Sequence, residues 1–152
     1  MKKQTVKICN ILCAVLMLAL ILCHLMPFWT LNGESLSLQE FIWFCTEHAD
    51  ISSYLGSVDP QFSMNSFIVA PVLIFVSAVL GAVFYVTKPN RIWTAVFPIT
   101  CGIVGTIAYL IDPALQSGAN WWLHLLICIG LLAAGVVSGI FAYQIKREEE
   151  EE

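Results

Sequence analysis

Apolar residues fall into four long runs separated by three polar breaks, with none of the strict alternation that marks a strand-rich core. The runs cover about residues 8–29, 67–86, 92–111 and 121–145. At a rise of about 1.5 Å per residue each makes a helix long enough for a hydrocarbon core of about 30 Å. The pattern predicts an all-α membrane protein, a four-transmembrane-helix bundle forming a single membrane domain over 1–152. Outer loop 30–66 joins the first two spans, and residues 146–152 form an acidic tail expected to be a disordered, solvated extension.

The first break carries two local signals. Asn32-Gly33 between Phe28-Trp29-Thr30-Leu31 and Glu34-Ser35-Leu36 is a two-residue hairpin signature, since both residues tolerate positive φ. Ser37-Leu38-Gln39-Glu40 then forms a capping box, after which Leu38, Phe41, Ile42 and Cys45 repeat at helical spacing. The expected result is an extracytoplasmic hairpin followed by an amphipathic helix from Leu38 to about His48. Asp50 to Gly56 is expected to add a turn closed by the glycine. The second break, Thr87 to Arg91, is a tight turn, and the third, Asp112 to Asn120, can seal the last helix against its neighbour.

Charge orients the chain. All seven Lys and Arg fall at Lys2, Lys3, Lys7, Lys88, Arg91, Lys146 and Arg147, on one side of the pattern. Short basic segments stay in the cytoplasm, so both termini are expected there, in the inner membrane of a bacterium. Trp29, Trp121 and Trp122 mark the outer boundary; Tyr85, Trp93 and Tyr143 mark the inner one. At 59% hydrophobic and 12% charged, the chain is too apolar for a soluble domain of this size. The net charge of −4 reflects the run Glu148 to Glu152, and no nucleic-acid-binding patch is present. The first run is read as an uncleaved span, because His24-Leu25-Met26-Pro27-Phe28 offers no small-residue cleavage site.

Helices in lipid associate through close packing of small residues. The fourth run carries two such ridges, Gly130, Ala134 and Ser138, and the GxxxG pair Gly135 and Gly139. Cys101 with Gly105, and Ser77 with Gly81, can pack likewise on the third and second runs. These ridges are expected to pack the bundle, with self-association through the GxxxG face as the alternative. The aromatic loop, through Trp29, Phe41, Trp43, Phe44 and Cys45, is the second surface expected to meet a partner.

Pro27-Phe28-Trp29 followed by a long loop with Trp43 and Cys45 resembles the claudin-type tetraspan layout. That resemblance implies a lateral-association or barrier role without catalysis. The chain is also similar to uncharacterised four-span bacterial membrane proteins whose first span ends in Pro and Trp, a group that implies no activity.

Other chemistries fit poorly. Quinone-linked thiol oxidases need cysteine pairs on the oxidising side, whereas Cys45 stands alone in the outer loops and no Cys-x-x-Cys occurs. Cys45, Glu47, His48 and Asp50 could be written as a metal site, yet a helical Cys-x-x-His puts only two ligands on one face, a closed zinc site wants four, and only His124 near the outer boundary offers another strong donor, so no metal or cofactor is expected. His24 and His124 lie one turn below the outer boundary, where they can face each other or bond a carbonyl. Proton-coupled exporters place a carboxylate deep in the bilayer, and here no span interior has one. No nucleophile with a base, and no carboxylate pair, can be assembled at one depth, so the chain is not expected to be an enzyme. The reading is a non-catalytic scaffold or accessory subunit whose partners are the bilayer and a second copy or another membrane protein. The alternative is a small transporter or permeation protein for a neutral or weakly charged solute.

Overall fold

The structure, a computed structural model, describes residues 2–44, 49–87 and 92–151. Its elements in chain order are α1 (Lys2–Leu25), β1 (Pro27–Leu31), β2 (Glu34–Ser37), α2 (Leu38–Phe44), α3 (Ala49–Val58), α4 (Met64–Thr87), α5 (Val96–Ile111), α6 (Pro113–Gln116) and α7 (Trp121–Glu151). One 3-10 turn, Ile92–Ala95, leads into α5. The chain is mostly helical. Four helical segments, Lys2–Leu25, Met64–Thr87, Ile92–Ile111 and Trp121–Glu151, are long and apolar enough to cross a membrane.

The four long helices form a closed ring in which α1 packs on α4, α4 on α5, α5 on α7 and α7 on α1. Met17, Leu20, Ile74, Cys101, Tyr109, Cys128 and Leu131 fill the interior with no exposed surface. One side of each helix is left apolar and exposed, as at Ile8, Val15, Leu22, Val69, Ile107 and Ile140. An apolar exterior around a packed core suits a lipid solvent.

Several boundaries differ from the sequence pattern. The first helix begins at Lys2 and stops at Leu25, because Pro27-Phe28-Trp29 enters β1 instead of closing the span. The acidic tail is helical through Glu151, which corrects the expectation of a disordered extension. Lys146 pairs with Glu150 at 3.5 Å and Arg147 with Glu151 at 2.9 Å, both one turn apart along the helix. Lys2 pairs with Glu148 and Lys3 with Glu149, tying the tail to the start of α1. These pairs place both termini at one end of the bundle, which also holds Lys7.

The hairpin forms at the opposite end. Its turn residues Asn32 and Gly33 have φ of 53° and 84°, so the two-residue connection turns with the strand twist. β1 and β2 pair antiparallel, with Trp29 opposite Leu36 and Pro27 opposite Ser37, leaving Phe28 as an extra residue in a bulge. Regular pleating would send Phe28 and Trp29 to opposite faces; the bulge lets both be buried. α2 starts at a reciprocal cap: the Glu40 amide donates to Ser37 Oγ at 3.1 Å, and the Ser37 amide donates to Glu40 Oε2 at 2.9 Å. α2 is described as far as Phe44, and the expected continuation through His48 lies outside the described residues. α3 passes Gly56 and ends two residues later, so that glycine does not close it.

Candidate functional site

The hairpin end is where aromatic and polar side chains converge. α1 delivers Cys23 and His24, β1 delivers Phe28 and Trp29, α2 delivers Phe41, α4 delivers Phe67 and, against His24, Phe75, α5 delivers Tyr109, and α7 delivers His124 and Cys128. Their rings form a connected chain. Phe62 meets Phe67 at 5.4 Å between centroids, Phe67 meets Phe41 at 5.6 Å, and Phe41 meets Trp29 at 5.1 Å. Trp29 meets Phe28 edge-on at 4.7 Å, and Phe28 meets His124 at 5.2 Å. His124 then touches Tyr109 at 5.2 Å and His24 at 5.4 Å. Offset and edge-to-face contacts of this kind add to the area they bury and fix ring orientation.

The connection 112–120 closes over this chain of rings. Asp112 caps α6 by accepting from the Ala114 amide at 2.9 Å, with Pro113 at the first helical position. Burial pushes the Asp112 carboxyl above its ordinary pKa, against the pull of the Ala114 and Leu115 amides. Trp29 Nε1 donates to Ser117 Oγ at 3.2 Å, and the Ala119 amide donates to the Phe28 carbonyl. Gly118 lies against the Phe28 ring, leaving no room for a Cβ. The third break therefore clamps the hairpin as well as joining α5 to α7.

His24 and His124 are both buried, and each bonds the carbonyl four residues earlier in the chain. His24 Nδ1 donates to the Leu20 carbonyl at 2.8 Å, and His124 Nδ1 donates to the Asn120 carbonyl at 3.1 Å. A carbonyl can only accept, so each Nδ1 carries a proton, and a ring in its neutral form then leaves Nε2 as an acceptor. Among the described residues, both Nε2 atoms and the Tyr109 hydroxyl are buried without a hydrogen-bond partner. Two acceptors and one donor thus form the polar centre of an otherwise apolar end. Unpaired polar atoms at this depth cost stability. Among the described residues no group of three or more His, Cys, Asp and Glu side chains is placed to hold a metal ion.

The residues expected to meet a partner separate sharply. Trp29 and Phe41 are 2% and 0% exposed, because the bulge and the cap turn them into the bundle, so they are core residues and not a surface. Trp43 is 70% exposed. Cys45, with Glu47 and His48, lies outside the described residues, as does the side chain of Phe44. On α7, Gly130 faces Leu16 of α1, Ala134 is buried, and Ser138 donates to Asn10 Oδ1 at 2.6 Å. Gly135 faces Pro98 and Ile99, and Gly139 faces Ala95. Both ridges are therefore occupied by neighbours within the chain. The closest helix approach belongs to Gly102, which the small-residue spacing did not single out: a Cβ there would fall 2.6 Å from the backbone of Leu132. Its sequence signal was a glycine next to Cys101, one position off the chosen ridge.

Four apolar helices of this length around a closed core, capped at one end and charged at the other, suggest a multi-pass membrane protein. No protein-family model, curated protein or solved structure matches this chain.

Proposed function

We propose that the protein is a non-catalytic scaffold or accessory subunit of a bacterial cytoplasmic membrane, with both termini inside and the hairpin cap outside. The observation that carries this reading is Trp43, a large aromatic standing exposed on a cap whose neighbours Trp29 and Phe41 are locked into the core. An exposed Trp on a helix suits recognition, because aromatic anchors contribute heavily to interface energy. The gathering of Lys2, Lys3, Lys7, Lys146 and Arg147 at the opposite end supports the orientation. The ridges of α7 are used inside the bundle, so the cap is the surface through which association is expected.

A photo-crosslinking residue placed at Trp43 in intact membranes tests the reading. The expected result is one defined product, either a second copy or a single membrane protein, with no product from the same probe at Met17 in the core. Scaffolding is overturned when this probe and mild-detergent purification both return only monomer. A carrier for a neutral solute would instead move that solute in liposomes and expose Cys101 and Cys128 to water-soluble thiol reagents. Both cysteines are fully buried, which supports the packed reading.

A further inference from the structure

At the termini end a cleft of about 680 Å³ opens along the seam of α1 and α7. Its wall on α1 is Lys3, Val6, Lys7, Asn10, Ile11 and Ala14; α7 adds Ala142, Ile145 and Glu149, and α4 adds Tyr85. Lys3, Lys7 and Glu149 lie nearest the helix ends, Asn10 and Tyr85 add polar groups to the wall, and Ile11, Ala14 and Ala142 form its apolar part further along the helices. Glu149 is paired with Lys3 at 3.2 Å, and Lys2, Lys146 and Arg147 are paired with Glu148, Glu150 and Glu151. Lys7 alone among the described basic residues has no ion-pair partner.

From this arrangement we infer that the cleft is a site for one anionic phospholipid of the inner leaflet, with its phosphate on Lys7 and an acyl chain along Ile11, Ala14 and Ala142. An uncompensated ammonium above an apolar trough matches a ligand with a charged head and a greasy tail. The start of α1 adds the positive end of its dipole at the same level. Basic pockets between helices on the cytoplasmic side recognise such headgroups by charge. The inference shares the membrane placement proposed above but not the partner: a failed crosslink at Trp43 leaves it standing.

The test is native mass spectrometry of the full chain, released from detergent after exposure to equal amounts of phosphatidylglycerol and phosphatidylethanolamine. Preferential retention of the anionic lipid is expected, and Lys7→Gln should lower that preference about fivefold, the contribution of one lysine at a headgroup. Lys146→Gln, which removes a charge already paired with Glu150, should leave it unchanged. Ala142→Trp should reduce retention by filling the trough without altering charge. Circular dichroism checks that each variant keeps its helices. Equal retention of the two lipids, an unchanged preference in Lys7→Gln, or displacement of the lipid by millimolar inorganic phosphate overturns the inference.

Discussion

At the scale of single residues, the fold depends on contacts that tolerate no added atom. Gly102 is the clearest, because the Cβ it lacks would meet the Cα and amide nitrogen of Leu132, and helix backbone cannot swing aside as a side-chain end can. Gly102→Ala must push α5 and α7 apart, and overpacking of this kind costs about 1–3 kcal/mol. Gly130→Ala meets only the tip of Leu16 at 3.2 Å and should cost much less. Thermal unfolding of the two variants in detergent should rank them in that order; equal midpoints would mean that α5 and α7 are not so closely apposed. The GxxxG pattern drew attention to α7, yet the tightest point sits on the helix facing it. Spacing along one helix reveals where small residues recur, but not which of them a second backbone will approach.

At the scale of elements, the local devices are self-contained. The hairpin turn needs positive φ at two adjacent positions, and Asn32-Gly33 supplies it. The start of α2 needs partners for free amides, and Ser37 with Glu40 supplies them within four residues. Both were legible because every participant is close in sequence. Ser37→Ala should cost about 0.5–2 kcal/mol through loss of the cap, and amide exchange should quicken across residues 38–44 while α5 stays protected. Unchanged exchange there would show that tertiary contacts of Leu38 and Phe41 hold the helix without its cap. The bulge at Phe28 was not legible, because it depends on two aromatic side chains both finding room beneath the hairpin. The helical tail is an intermediate case. Its two one-turn ion pairs could be read from Lys146-Arg147 and the following glutamates, whereas its pairs with Lys2 and Lys3 exist only because the fold returns the C-terminal helix to the first.

At the scale of the whole molecule, Phe28 ties the hairpin to segments far from it in sequence. Its ring packs on His124 of α7, lies against Gly118 of the third break, and meets Trp29, which reaches α2 and α4 through Phe41 and Phe67. Phe28→Ala should therefore cost about 3–5 kcal/mol, in the range for a fully buried aromatic, and loosen the cap and the 112–120 connection together. Trp43→Ala, at an exposed position on the same cap, should leave the unfolding midpoint within about 0.5 kcal/mol of the parent. If both variants unfold alike, the cap and the bundle are not one cooperative unit.

The sequence by itself determined four long apolar helices, the gathering of basic residues toward one side, the hairpin turn and the cap. Each follows from hydrophobic run length, charge placement or hydrogen bonds among near neighbours. Only the tertiary structure decided that Trp29 and Phe41 are core while Trp43 is surface, that Gly102 marks the tightest crossing, and that His24, Tyr109 and His124 bring unpaired polar atoms to one place. It also left Lys7, among the described residues, without an ion-pair partner beside the cleft of α1 and α7. These outcomes turn on which faces of separate helices meet, and a helix of nearly uniform apolar residues does not declare its inward face until its neighbours are packed against it.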